Sequence, residues 1–482
     1  MKTIIEPFRC KTVEPIRFTT RSEREKLLKE AGNNLFRIKA EDVIIDLLTD
    51  SGTSAMSSEQ WSAMMRGDES YAGCQSFFRF QEAVQEIFGF QEVLPVHQGR
   101  AAERLFFSQT VKAGQVVPSN THFDTTRANV EALSGQALDL RCKEAADSES
   151  DYPFKGNIDL EAVTELLEGK GPDQIPFGMI TITNNACGGQ PVSLDNIRQY
   201  SQLLKARGIP LIIDAARFAE NAYLIKEREP AYKEVAIPAI VREIFELADG
   251  CLMSAKKDGL ANMGGFIALR DPELAARLKD ALILTEGFPT YGGLSGRDLE
   301  AIAVGLKEVL SEDYLRYRAA SAKYMANGLR ANNVPIVVPS GLHAIYIDAR
   351  QFLPHIPPAE LPGQVVACQL YLEAGIRTCE IGTAMFGHTD PKTGLEVPAH
   401  QDLVRLALPR RVYSQSHFDY VIEGAERVYR RKGELTGMKI VWQPKALRHF
   451  TAQFQSLPQA AGTGSEHCPR HGKTLSTAGA GK

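Results

Sequence analysis

The hydrophobic positions of this chain alternate between two rhythms. From Gln75 to Phe88 the apolar residues Phe77, Phe80, Val84 and Ile87 fall three or four apart, which predicts a helix with one buried face. Gly89 follows as a C-cap. Glu92–Val96 then reads as a short strand, and His97-Gln98-Gly99-Arg100 comes directly after it. The same succession recurs in the centre. Met179–Thr183 reads as a strand and Asn184–Pro191 as a polar loop punctuated by Gly and Pro. Ser193 caps a helix with Leu194, Ile197, Tyr200 and Leu204 inside, closed by Gly208. Ile209–Ile213 is a continuous apolar run, the pattern of a strand buried on both faces, and it ends at Asp214. Gly250–Ser254 and Gly265–Leu269 are two further strands, with Lys256 and Lys257 between them. Strands alternating with helices predict an α/β fold whose mostly parallel sheet has helices on both faces.

The pattern also divides the chain. Residues 1–56 read as an N-terminal arm that contributes to a small domain, and 57–312 as the large domain holding the sheet. A charged helical region from about Asp298 to Asn332 leads into a smaller α/β domain over 313–457. Residues 458–482 are rich in Gly, Ala, Ser and Thr and are expected to form a disordered tail. Its His467, Cys468 and His471 have no second ligand cluster nearby, so they read as incidental rather than as a metal site.

Composition narrows the class. Of 482 residues, 44% are hydrophobic and 24% charged, as in ordinary globular domains. Lys plus Arg number 55 and Asp plus Glu 59, a net charge of −4 that gives no footprint for nucleic acid or an anionic membrane. No apolar run reaches the ~18 residues of a membrane helix, and the N-terminus lacks the apolar core of a signal peptide. The eight cysteines form no CxxC pair, which fits reduced thiols in a cytoplasmic protein. Cys74 and Cys187 lie in loops and read as inert packing.

The chain has no GxxxxGK[ST], no GxGxxG after a strand, no HExxH and no GxSxG. What it does have is a set of polar residues just past strand ends, where open α/β sheets bind ligands. Lys257 follows a buried strand, with Ser254 before it and Lys256 beside it. A lysine there suits an imine with pyridoxal phosphate (PLP), because a neighbouring cation favours the neutral, nucleophilic amine. A surface lysine pair is the plainer alternative. Asp214 closes a strand about forty residues earlier and suits the pyridine nitrogen of PLP, or else caps a helix. Gln98, Gly99 and Arg100 open a helix that could cradle a phosphate, and Phe123 could stack on a ring. Arg405 stands inside an apolar strand and needs an anion, either a substrate carboxylate or a structural partner.

Longer segments carry a resemblance. Ile45–Thr53, Met65–Gly73, His97–Arg100, Gly188–Ser193, Ala216–Asn221, Ser254–Asp258, Glu286–Gly293 and Leu447–Thr451 resemble the β-eliminating lyases, and the likeness runs from about residue 6 to 457. It implies the PLP-dependent transferase fold of the aspartate-aminotransferase type, with a large and a smaller α/β domain. It implies a homotetramer of catalytic dimers that acts on a small amino acid and needs a monovalent cation such as potassium. Residue by residue, it implies that Lys257 bonds the cofactor and Asp214 pairs the ring nitrogen. Arg217 and Asn185 then lie near the ring oxygen, and Phe123 stacks on the ring. Gln98, Gly99, Arg100 and Ser254 hold the phosphate, with Lys256 close by. Arg405 takes the substrate carboxylate, with Thr49 and Ser51 near it. Tyr71 protonates the leaving group from the neighbouring subunit, and Gly52, Glu69 and Asn262 hold the cation.

Members of the family release indole from tryptophan or phenol from tyrosine. Phenol-releasing members carry arginine where Ile381 stands, and threonine and phenylalanine where Asp124 and His449 stand. Ile381 cannot donate a hydrogen bond to a phenol oxygen. All three positions point to indole release. Phenol release, another PLP enzyme of this fold such as a threonine aldolase or aminotransferase, and a non-catalytic cofactor-binding protein are the alternatives. Another PLP enzyme of that fold would not require Tyr71 as a leaving-group acid, and the set of Lys257, Tyr71 and Arg405 argues against the non-catalytic protein. Cys187 departs from the alanine usual in relatives, and a packing change is expected there.

Overall fold

The computed structural model describes residues 3–458. The tail expected over 458–482, with His467, Cys468 and His471, lies outside the described residues beyond Pro458. Five strands form the central sheet in the order Glu92–Val96, Gly265–Leu269, Gly250–Ser254, Leu211–Asp214, Gly178–Thr181. Only Gly265–Leu269 runs against the others. Gly250–Ser254 and Gly265–Leu269 are buried at every residue, as their unbroken apolar runs require. Val116–Ser119 pairs in parallel with Gln136–Asp139. The side chain of Asn120 ties that pair to the main sheet, accepting from Thr181 N at 3.0 Å and donating to Thr181 O at 3.1 Å.

The helices follow the periodicity. Gln75–Phe88 buries Phe77, Phe80, Val84 and Ile87 and ends at Gly89, whose φ of 76° is the left-handed conformation that glycine adopts without strain. Ser193 accepts from Asn196 N and starts Leu194–Lys205. The region expected as one helical stretch, Asp298–Asn332, is two helices, Gly296–Glu308 and Glu312–Ala331. Ser311 separates them by capping Tyr314 N. Glu312 and Asp313 in the first turn make Ser311 the start signal of the second helix.

Helices pack on both faces of the sheet, one core running from Cys74 to Leu315 and another from Leu94 to Leu282. A separate core joins Leu28–Leu47 of the N-terminal segment to residues between Ala322 and Phe454. The long helix Glu312–Ala331 starts in the sheet core with Tyr314 and Leu315 and ends in the other with Ala322, Met325 and Leu329. Around that second core lies an antiparallel sheet of Cys379–Ile381, Leu403–Ala407 and Ala344–Asp348. Among the described residues, no helix is long and apolar enough to cross a membrane.

Candidate active site

Three strand ends converge on one cavity of about 280 Å³. Val96 leads into Gln98 and the helix Gly99–Thr110, Leu211–Asp214 ends in Asp214, and Gly250–Ser254 ends in Ser254. Gln98, Gly99, Arg100, Phe123, Asn185, Asp214, Arg217, Ser254, Lys256 and Lys257 all line it. So do Thr49, Ser51, Asp124, Arg405 and His449. A Cβ on Gly99 would stand 2.7 Å from the Cβ of Ser254. Only a glycine lets the first turn of that helix come so close to the strand end.

The Lys257 amine is held down to about 8, first by burial and then by the Arg217 guanidinium. Lys256 also lowers it but contributes less, so the cation expected to act on Lys257 is mainly Arg217 rather than its sequence neighbour. Asp214 accepts from Ala216 N at 3.1 Å, and burial raises its carboxyl while Lys257 opposes the shift. Arg217 is paired twice to Asp50, through Nε at 2.9 Å and Nη2 at 2.7 Å. Burial would raise Asp50, but Arg217 and Arg410 together hold it well below the usual carboxylate range.

That pair belongs to a larger buried network. Arg410 donates to Asp50 at 2.9 Å, to Glu220 at 2.9 Å and to Asp258 at 2.7 Å. Arg318 donates to Glu220 at 2.5 Å. Asp258, next to Lys257, also accepts from Ala219 N and Glu220 N at the start of the helix Phe218–Arg228. Three carboxylates thus balance three guanidinium groups, none exposed.

Arg405 resolves one ambiguity in the sequence. Among the described residues no carboxylate lies within ion-pair distance of it. Its guanidinium meets Asn185 Oδ1 at 3.1 Å and the carbonyl of Leu48 at 2.9 Å, and its Nε has no partner. A buried arginine bonded only to neutral acceptors has charge left to pair with an anion from outside.

On another part of the wall, His449 Nε2 lies 3.1 Å from Asp124 Oδ2, both side chains buried. The contact is close but not aligned as a hydrogen bond, and both ring nitrogens of His449 lack hydrogen-bond partners. Phe36 and Phe450 pack against the imidazole.

Some expected residues stand elsewhere. Ile381 does not line the cavity. It sits behind the wall, two residues along the strand from Cys379, which does line it, and packs with Cys379, Met385 and Leu403. Tyr71 is 70% exposed and packs on Phe288 and Tyr291 rather than in the cavity of its own chain. Asn262 donates to the carbonyls of Gly52 and Ser54. No hydrogen bond joins Glu69 to either Gly52 or Asn262: its carboxylate accepts from Gly296 N and pairs with Arg297. Cys187 is buried beside Cys142 and Ala145, a packing position.

Glu103 belongs to no motif in the sequence. It lines the cavity, accepts from Thr126 Oγ1 at 2.5 Å, and is pushed up to about 7, first by burial. A signal existed, because Glu103 shares a helix stripe with Phe106 and Phe107, where a carboxylate is out of place. Asp50 and His343 were missed as well. His343 is fully buried, with Nε2 3.0 Å from Tyr346 Oη and 3.2 Å from Asn185 Oδ1.

A family model described as beta-eliminating lyase matches residues 46–424. The tryptophanase of Hyphomonas neptunium is 59% identical over 95% of this chain and all of its own length. That of Rhodobacter capsulatus is 56% identical over 95% of this chain and all of its own length. The tyrosine phenol-lyase of Pasteurella multocida is 46% identical, covering 93% of this chain and 98% of its own length. Among solved structures, the serine palmitoyltransferase of S. paucimobilis aligns with a TM-score of 0.57 at 13% identity, over 86% of this chain and 97% of its own. The threonine aldolase of Leishmania major aligns with a TM-score of 0.54 at 14% identity, over 80% and 99% respectively.

Proposed function

The chain belongs to the β-eliminating lyase family, and on that premise we propose that it is a PLP-dependent lyase cleaving L-tryptophan into indole, pyruvate and ammonium. The observation that carries the choice of substrate is the buried Asp124–His449 pair in the cavity wall. With the apolar Ile381 behind the same cavity, the site offers polar contact to an indole N–H and no arginine at position 381 for a phenol oxygen. Incubation with L-tryptophan tests it: indole and pyruvate should appear in equal amounts. Release of phenol from L-tyrosine at a comparable rate would favour the phenol-lyase reading instead.

The residues present fit the cofactor. A glycine cradle, an arginine, a buried lysine near neutrality, a strand-end carboxylate and Phe123 surround one cavity. When bound, PLP supplies a carbonyl for amines and a ring that delocalises a carbanion at Cα. Gln98, Gly99, Arg100 and Ser254 hold its phosphate, with Lys256 beside them, Phe123 takes the ring face, and Asn185 and Arg217 serve the ring oxygen. Asp214 keeps a proton on the ring nitrogen. Arg405 grips the substrate carboxylate, aided by Thr49 and Ser51. Lys257 removes the Cα proton, for which an amine titrating near 8 is suited. Tyr71 then delivers a proton to the ring carbon of the leaving group. Its exposure in one chain supports a role in the cavity of a second copy, within a homotetramer of catalytic dimers. Gly52, Glu69 and Asn262 would supply oxygen ligands to a monovalent cation such as potassium. The location is cytoplasmic.

Two substitutions check this arrangement. Gly99→Ala puts a methyl group 2.7 Å from Ser254. Overpacking of ~1–3 kcal/mol should weaken PLP binding roughly ten- to a hundredfold. Equilibrium dialysis of the apoenzyme reads this directly, and unchanged affinity would move the phosphate away from Gly99. His449→Phe should lower kcat/KM for tryptophan well below that for S-methyl-L-cysteine, which lacks a ring. Equal losses would remove His449 from indole recognition.

A further inference from the structure

The imidazole of His449 has no hydrogen bond to fix it. Its place in the wall is set by packing against Phe36 and Phe450 and by its own backbone turn, Arg448–Phe450, a short 3₁₀ segment. Two features anchor that turn. Asn34 donates to the carbonyl of His449 at 3.1 Å. The other is Arg448, whose buried side chain reaches three separate elements. It donates to Ala384 O at 3.0 Å and Thr383 O at 2.5 Å, in the short helix Thr383–Phe386. It donates to Gln443 Oε1 at 3.1 Å. It forms a two-pronged ion pair with Glu396, one contact at 3.1 Å.

Glu396 stands on a small surface hairpin, where it pairs with Thr389 across the strands. Thr389 Oγ1 donates to Glu396 at 3.3 Å and accepts from Gln443 Nε2 at 3.0 Å, which closes a ring with Arg448. Gly387 makes room for it: a Cβ there would meet the Arg448 guanidinium at 3.0 Å and the Val397 carbonyl at 2.8 Å. Arg448 thus ties together two stretches of cavity wall, His449 and Phe450 on one side and Met385 on the other. Glu396 is the only charged partner this guanidinium has among the described residues.

We propose that Glu396 is a positioning residue: through Arg448 it sets where His449 and Met385 stand, and so sets selectivity for a bicyclic aromatic leaving group. The hairpin itself touches no reacting atom. Glu396 reaches the substrate through Arg448, which makes its effect small on substrates that leave this part of the cavity empty. The inference rests on the reading of His449 as an indole contact, and it extends the specificity determinants to a residue outside the cavity.

The test compares wild type, Glu396→Ala and Glu396→Gln as holoenzymes. L-Tryptophan and S-methyl-L-cysteine are the substrates, and indole is the inhibitor against S-methyl-L-cysteine. Glu396→Ala should lower kcat/KM for tryptophan about tenfold and raise the inhibition constant of indole by a similar factor, since small misplacements at a binding wall are costly. Turnover of S-methyl-L-cysteine should change less than twofold. Glu396→Gln keeps an acceptor without the charge and should fall between the two, which carries the test if the alanine variant folds poorly. Equal losses on both substrates, or an unchanged indole constant, would overturn the proposal. Absence of indole release by wild type would instead overturn the functional reading beneath it.

Discussion

Lys257→Ala should reduce indole release by at least ~10⁴-fold, the upper end of what proton transfer alone contributes. The variant loses both the attachment point for PLP and the base for Cα. Borohydride reduction of the wild type, followed by peptide mapping, should leave the cofactor on Lys257 and nowhere else. A label on Lys256 would exchange the roles of the two lysines. The lowered pKa adds a pH test. An amine titrating at about 8 instead of 10.5 has a neutral fraction near pH 7.5 some 10²-fold larger. Covalent uptake of PLP by the apoenzyme should therefore speed up as pH rises through about 8 and level off above it. The sign for stability is the same. Below about 8 the folded protein carries a buried ammonium that the unfolded chain carries in water, a cost relieved between about 8 and 10.5 as the folded amine loses its proton first. A flat uptake profile from pH 7 to 9 would mean that Lys257 is not the depressed amine.

Tyr71→Phe is the second large effect. Loss of the general acid should lower indole production ~10²–10⁴-fold, while exchange of the Cα hydrogen with solvent continues, because Lys257 and Arg405 are untouched. Exchange and elimination failing together would show that Tyr71 does something else. The exposed position of Tyr71 also invites complementation. Mixed dimers of Lys257→Ala and Tyr71→Phe chains contain one intact site each if the tyrosine serves the neighbouring copy. Random pairing about a two-fold axis then restores roughly a quarter of the sites. No recovery in well-mixed samples would place the tyrosine in the site of its own chain.

Most of the sheet was legible because its strands are buried and read as mostly apolar runs, three of them ended by a polar residue. Asp214, Ser254 and the Gln98–Arg100 turn could be placed in one site from that rule alone, since parallel strands bring their ends together. The spatial relations of Tyr71 and Glu69 were not legible in this way. Their side chains face away from the cavity of their own chain, and strand-end logic says nothing about a second copy. The larger of the two cations acting on Lys257 was hidden for a similar reason. Adjacency in sequence suggested Lys256, whereas the fold brings Arg217 to bear from a different loop. Asp50 was hidden because a lone aspartate in a loop ordinarily caps a turn. Only the tertiary structure shows it enclosed between two arginines. The break at Ser311 has only a local signal, a serine followed by Glu312 and Asp313, inside a region that is charged and helix-forming on both sides.

The buried network around Arg410 bears on how this protein can be dissected. Its six charges come from positions 50, 217, 220, 258, 318 and 410, spread over most of the chain. Any cut between Asp50 and Arg410 strands at least one ion in a dry interior, and an uncompensated buried charge costs ~3–5 kcal/mol, comparable with the whole stability of many domains. Fragments made by such a cut should therefore not fold alone. Calorimetry of the apoenzyme should show a single transition, and circular permutants opened in surface loops should survive where split fragments do not.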